Sequence, residues 1–235
     1  MSTHYESVQI AALYPDAFGV AAPVAPVGRD VWPRQPGVFI RLGAAKAEAA
    51  TDADQPPREL SANERPPREL VAGQFGLVPR WVKSASDAKL RSTKLVNARS
   101  ETVTTSNNFR DAWLAGQRCI VPMMAFREDD WRSGKAVPTR IARVDGQPMG
   151  VAGLWESWTG IEGDVIISYT LLTVNANSHA LMSRYQQPGN EKRMLAILNE
   201  GAFDAWLSAR PEKAREFMRA YPANWLTANP VEKNR

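Results

Sequence analysis

The chain has 235 residues, 44% of them apolar, enough to bury a core and to make one large domain or two small ones. Its 29 Lys and Arg against 25 Asp and Glu leave a net charge of +4, which suits a polyanionic partner and an ordinary enzyme alike, so charge alone names no function. Cys119 is the single cysteine, which excludes an intrachain disulfide; with only His4 and His179 as imidazoles a Cys/His metal site is close to excluded, and no cofactor is expected.

The start, Met1-Ser2-Thr3-His4-Tyr5-Glu6, lacks the basic opening and apolar run of a secretion signal. No apolar stretch approaches the roughly 20 residues that span a bilayer, so the chain is expected in the cytoplasm, away from membranes. Residues 43–71 read as an insertion. Within it Pro56-Pro57-Arg58-Glu59-Leu60 recurs as Pro66-Pro67-Arg68-Glu69-Leu70, and paired prolines oppose a regular helix or central strand. A small duplication that lengthens a surface loop accounts for both copies.

Short β-type runs follow at Gln74 to Val78, Arg118 to Val121, Thr139 to Val144, Met149 to Leu154 and Val165 to Val174, separated by Gly, Pro or Asp/Gly turns. Helical patterns are fewer: Asn108 through Leu114, Phe203 to Leu207 and Glu212 to Met218. Strands with interspersed helices, without strict βαβ alternation, predict an α+β fold whose sheet is mixed or largely antiparallel with peripheral helices. The expected organisation is one domain over 1–235, ending in a C-terminal tail after about residue 208. Cys119, inside an apolar strand, reads as a buried small hydrophobe, and Trp113, Trp158 and Trp206 read as packing residues. The basic stretch Arg80, Lys83, Lys89, Arg91 and Lys94 suits a DNA backbone or a solvated loop equally well.

Five segments in order carry a family likeness: Phe75-Gly76-Leu77-Val78-Pro79-Arg80-Trp81; Asn97-Ala98-Arg99-Ser100-Glu101-Thr102; Arg118-Cys119-Ile120-Val121-Pro122 with Glu128 after it; Ala152-Gly153-Leu154-Trp155-Glu156; and Pro188 to Leu198 with Glu191-Lys192-Arg193-Met194. On these motifs the chain resembles the SOS response-associated peptidase (SRAP) family of abasic-site proteins. The resemblance implies a barrel-like sheet and single-stranded DNA with abasic sites as the partner. It also implies a covalent link made by a Cys at position 2 once Met1 is removed: the amine forms an imine with the open-ring aldehyde, and the thiol closes on that imine. Asn97, Arg99 and Glu128 are the positions it carries over as assisting residues. Two positions depart from the pattern: residue 2 is Ser, and Gln186 stands where the family's His aligns. Arg127 also occupies a place where Tyr is more usual.

The chemistry of those residues follows from their types. Removal of Met1 would leave a Ser2 α-amine with an ordinary pKa of about 7.7, much of it neutral and nucleophilic near pH 7. Without a thiol, capture of an aldehyde should be transient. A frayed terminal residue with no role is the plain alternative for Ser2. Gln186 bonds but cannot carry protons, so an acid–base step assigned there would slow by about 10²–10⁴-fold.

Glu128 is either a partly buried proton carrier with a raised pKa or one more acid in a solvated turn with Asp129 and Asp130. Asn97 and Arg99 alternate on an extended segment and so share a face, Arg99 offering its fork to a phosphate or pairing with Glu101. Trp81 and Trp155 stack a base or pack in the core, and Arg80 and Arg193 are candidate DNA contacts. The function expected is abasic-site binding with attenuated, reversible chemistry through Ser2, Asn97, Glu128 and Gln186. The alternatives are a non-catalytic single-stranded DNA-binding module and an N-terminal-nucleophile peptidase, the latter without a Ser-His-Asp set to support it.

Overall fold

A computed structural model describes residues 2–43 and 67–231. Among them are twelve strands: β1 (Tyr5–Ser7), β2 (Asp30–Val31), β3 (Pro36–Leu42), β4 (Arg68–Phe75), β5 (Asn97–Arg99), β6 (Arg118–Asp130), β7 (Val137–Arg143), β8 (Met149–Thr159), β9 (Val165–Asn175), β10 (Arg193–Leu195), β11 (Ile197–Leu198) and β12 (Leu226–Pro230). The short helices are α1 (Ala85–Ser92), α2 (Arg110–Leu114), α3 (Phe203–Ser208) and α4 (Pro211–Ala214). The fold is α+β, as strands with interspersed helices and no strict alternation predict.

Strands β3, β4, β9, β8 and β6 each pair with the next, and β6 pairs back onto β3, closing a five-stranded barrel. Every step is antiparallel except β4–β9, and β5 also joins β9 in parallel. Closure removes the exposed edges that an open sheet would leave. The interior is aromatic. Phe39, Phe75, Tyr5 and Tyr169 are fully or almost fully buried, and the Tyr5 and Tyr169 hydroxyls meet at 2.5 Å. Gly37 lies against that hydroxyl pair, where any Cβ would collide.

Two expectations at the margins are corrected. The loop expected to reach residue 71 ends earlier, because Arg68, Glu69 and Leu70 of the second proline-rich copy already belong to β4 and pair with β3. Pro67 stays outside the ladder, giving only its carbonyl to the Gly43 N–H at 2.8 Å, so its missing donor costs nothing. The first copy lies outside the described residues. The expected tail after 208 is not one: α4 follows at once, and β12 pairs with β7 from Leu226 opposite Arg143 to Pro230 opposite Thr139.

The remaining packing assignments hold. Trp113, Trp158 and Trp206 are buried, and the Trp206 indole donates to the Cys119 carbonyl at 2.9 Å. Burial raises the Cys119 thiol pKa well above its ordinary value, which leaves it a poor nucleophile. His179 caps a turn: its Nδ1 accepts from the Leu181 and Met182 N–H groups, and its Nε2 donates to the Tyr221 carbonyl. Among the described residues no helix is long and apolar enough to cross a membrane.

Candidate active site

Strand β1 pairs antiparallel with the far half of β6, Tyr5 opposite Phe126, which carries the start of the chain to the mouth of the barrel. Ser2 is only 2% exposed there. Its Oγ lies 3.2 Å from the His4 carbonyl and 3.1 Å from the Arg127 carbonyl, donating its one proton to them. Asn97, on β5, donates from Nδ2 to the Ser2 carbonyl at 2.7 Å. The other end of that amide, Oδ1, is buried and has no hydrogen-bond partner among the described residues. An unpaired buried acceptor costs about 1–3 kcal/mol, so it marks a place for a donor.

Glu128 continues β6 into this space and is 6% exposed, which decides between its two readings: it is a buried strand residue, not a member of a solvated turn. Its neighbour Asp130 instead faces Arg132, with Oδ2 at 2.6 Å from the guanidinium. Burial pushes the Glu128 carboxyl up to about 7, with Asp129 adding to the rise, while the positive amino terminus of the chain and a hydrogen bond from Gln186 pull it down. A carboxyl poised there can give and take a proton at neutral pH.

Gln186 is buried and has a left-handed backbone, φ +67°, a conformation that costs a non-glycine residue about 1–2 kcal/mol. Its surroundings hold it there: its N–H donates to the Asp129 carbonyl at 2.9 Å, its Nε2 donates to the Arg193 carbonyl at 2.7 Å, and the Arg193 N–H donates to its Oε1 at 3.1 Å. The amide is thus a fixed brace for Glu128. Where the resemblance leads one to expect an imidazole, this amide cannot carry a proton.

Glu128 and Gln186 open into a cleft of about 760 Å³ that Arg99, Arg193, His4, Trp32, Arg127 and Trp131 also line; Ser2 and Asn97 are not among its lining residues. Arg99 does pair with an acid, but with Glu191 at 2.8 Å and not with Glu101. Glu101 belongs to Arg193, whose buried fork reaches it at 2.8 and 3.0 Å and also donates to the Thr173 carbonyl at 2.8 Å. Although burial pushes the Glu101 carboxyl up, the Arg193 hydrogen bonds hold it below the usual carboxylate range. Arg193 is therefore an anchor for β10 whose donors are spent inside the protein.

Besides Ser2 and Asn97, three sequence candidates do not line the cleft. Arg80 makes two 3.0 Å bonds to the buried carboxylate of Glu156. Trp81 donates to the Asn107 carbonyl at 2.9 Å under the Arg91 guanidinium, and Trp155 stacks on Phe39 with Arg41 4.4 Å from its ring centroid.

Conversely, the sequence motifs give no site role to His4, Trp32 or Arg127, the last being marked only as standing where Tyr is more usual. Alternation on β1 and β2 turns Tyr5 and Val31 inward and leaves His4, Asp30 and Trp32 together on the outer face. The His4 ring stacks on Trp32 at 4.0 Å and 15°, and its Nε2 bonds Asp30 at 2.7 Å. Burial lowers the His4 pKa despite that carboxylate. Only the pairing of β1 with β2 could have revealed this cluster. Among the described residues no group of three or more His, Cys, Asp or Glu side chains is placed to hold a metal ion.

A sequence model of the SOS response associated peptidase (SRAP) family matches residues 17–234. The abasic site processing protein YoqW of Bacillus subtilis is 30% identical over 162 residues, covering 67% of each chain. The abasic site processing protein HMCES of Gallus gallus is 26% identical over 185 residues, covering 70% of this chain and 53% of its own length. A solved structure of a Bordetella bronchiseptica protein superposes with a TM-score of 0.83 at 39% identity, covering 98% of this chain and 100% of that one. A Bacteroides thetaiotaomicron protein shares the fold, with a TM-score of 0.75 at 20% identity.

Proposed function

Because the chain belongs to the SOS response-associated peptidase family, we propose that it acts at abasic sites in single-stranded DNA, capturing the open-ring aldehyde reversibly through the α-amine of Ser2 after removal of Met1. The observation that carries this reading is the clamp on Ser2. Its carbonyl is held by Asn97, whose free Oδ1 faces no other donor among the described residues, beside a carboxyl whose pKa is about 7.

The steps balance within these residues. The neutral amine adds to the aldehyde carbon, and one of its two protons passes by way of the Glu128 carboxylate to the alkoxide oxygen, giving the carbinolamine. Protonated Glu128 then gives its proton to the carbinolamine hydroxyl, which leaves as water, and takes back the last N–H proton of the resulting iminium to leave the imine. Asn97 Oδ1 is suited to accept from the amine or the carbinolamine, and Gln186 keeps Glu128 in place. Closure by the Ser2 hydroxyl would give an oxazolidine, which reopens more readily than the ring a thiol forms. Arg99 and Arg127 on the cleft wall suit the flanking phosphates.

The test is incubation with single-stranded DNA bearing one abasic site, with and without borohydride, followed by a denaturing gel. An adduct that needs borohydride is expected. Ser2→Ala should keep it, because the amine remains, whereas Glu128→Gln should slow it by about 10²–10⁴-fold. No adduct from wild type, with salt-sensitive DNA binding intact, would reduce the protein to a non-covalent binding module. The burial of Ser2 and the engagement of its hydroxyl with two carbonyls are the features that favour that second reading.

A further inference from the structure

An abasic nucleotide offers no base to hold, so a cleft that takes its sugar must accommodate the bases on either side. Resting on the reading of the cleft as an abasic-site pocket, we infer that Trp32, backed by His4, is the stacking platform for the nucleobase next to the lesion. Trp32 is 47% exposed and lines the same cleft as Glu128 and Gln186. One face of its indole is covered by the His4 ring at 4.0 Å. The other face is the one left to a ligand.

The platform is rigid without any ligand. His4 is locked by Asp30 at 2.7 Å, and the backbone N–H of Trp32 donates to Gln35 Oε1 at 3.0 Å. A stack built in advance loses little freedom when a base arrives. Its position also fits. His4 is two residues from Ser2, so the chain between them spans no more than about 7 Å, which sets the indole beside the reacting sugar. Arg127 lines the same wall, and its Nη2 lies 3.5 Å from both Glu6 and Asp30, a loose hold that leaves the guanidinium near the strand's phosphates. An indole face accepts any base, as lesion recognition independent of sequence context requires.

The experiment uses the full chain and two oligonucleotides of equal length and phosphate count, each with a central tetrahydrofuran abasic analogue. One has ordinary nucleotides around the analogue; the other has further tetrahydrofuran residues on both sides. Wild type should bind the first about tenfold tighter, the size of one base–aromatic stack. Trp32→Ala should lose that advantage while binding the base-free oligonucleotide as wild type does, and Trp32→Phe should keep most of it. The dependence of affinity on salt should stay unchanged in Trp32→Ala, because no phosphate contact is removed.

Equal weakening of both oligonucleotides by Trp32→Ala, or no weakening of either, overturns the platform. So does loss of the advantage in Trp131→Ala alone. If wild type fails to prefer the analogue over an intact strand, the abasic-site reading itself falls; if that preference stands while Trp32 contributes nothing, only the platform does.

Discussion

The Ser2 cleft and the surface around Arg80 and Trp81 are made of the same materials, arginines and glutamates beside an exposed tryptophan, and they are arranged to opposite effect. At Arg80 the charges are matched: the guanidinium sits in a two-bond fork with Glu156, Gln117 also donates to that carboxylate at 3.2 Å, and Trp81 is tied to Asn107 and covered by Arg91. In the cleft and at the Ser2–Asn97 contact the matching is incomplete. Asn97 Oδ1 and Arg127 Nε are buried without partners among the described residues, Gln186 is held at positive φ, and Glu128 is kept where burial opposes its charge. The first region has finished its electrostatics on folding, and the second has left part of them for a ligand. Strain and unmet polar groups cost stability, and they collect where function needs them.

The comparison is tested most severely by stability against pH. The Glu128 carboxyl moves from its ordinary value near 4.5 to about 7 on folding. Between those values the folded protein holds a proton that the unfolded chain has released, so stability falls as pH rises. The contribution is complete below about 4.5 and is lost as pH passes 7, a swing of about 3 kcal/mol at 1.36 kcal/mol per pH unit. Glu128→Gln removes the titration. Urea unfolding at pH 5 and pH 8 should show the variant gaining on wild type at the higher pH. His4, whose folded pKa is lowered, acts in the opposite sense below its ordinary value of about 6.5 but does so in both proteins and cancels in the difference. Identical pH profiles would mean that Glu128 ionises freely and that the cleft is no more frustrated than the Arg80 surface.

Breaking the matched region should have the complementary effect. Arg80→Ala leaves Glu156, 4% exposed in its side chain, as a buried carboxylate bonded, among the described residues, only by Gln117 and the Ser157 N–H. The loss should be about 2 kcal/mol, less than for a fully buried pair because Arg80 itself is half exposed. Affinity for abasic single-stranded DNA should stay within about twofold of wild type, since a spent guanidinium adds little to phosphate binding. A variant that keeps its stability and loses DNA affinity would return Arg80 to the DNA track and reverse the contrast.

How much of this could be read from the chain depends on the range of the interaction. The strands near residues 118, 139, 149 and 165 are legible because alternating or continuous apolar runs bounded by turn residues announce them. Strand β12 is not, because Leu226-Thr227-Ala228-Asn229-Pro230 has weak strand character and its ladder is supplied by β7. Ordered motifs bring Asn97, Glu128, Gln186 and Ser2 to one place without any knowledge of pairing. Trp32 and His4 come to it only through β1–β2 pairing, and Arg80 and Arg193 look like free cations until Glu156 and Glu101 are seen to claim them. Residue type shows which charges exist; only the fold shows which are already spent.

Arg99 lies between the two regimes, and it gives the smallest but most specific test. It is half exposed and bound to Glu191 at 2.8 Å, while Glu191 also accepts from Asn175 Nδ2 at 2.6 Å and stands 3.3 Å from Arg193. A phosphate entering the cleft must therefore compete with a carboxylate for Arg99. Glu191→Gln keeps the acceptor for Asn175 and removes the competing charge, and Arg193 remains held by Glu101. Affinity for single-stranded DNA should rise by about threefold, the scale of a surface ion pair. The plot of log affinity against log salt should steepen by up to about 0.7, one more counterion released from a single strand. Arg99→Ala should make the slope shallower by a similar amount, and adding Glu191→Gln to it should change nothing further, since the acid would then act only through Arg99. A gain in affinity that survives in the double variant would show Glu191 repelling DNA on its own, and Arg99 would then belong with the spent cations.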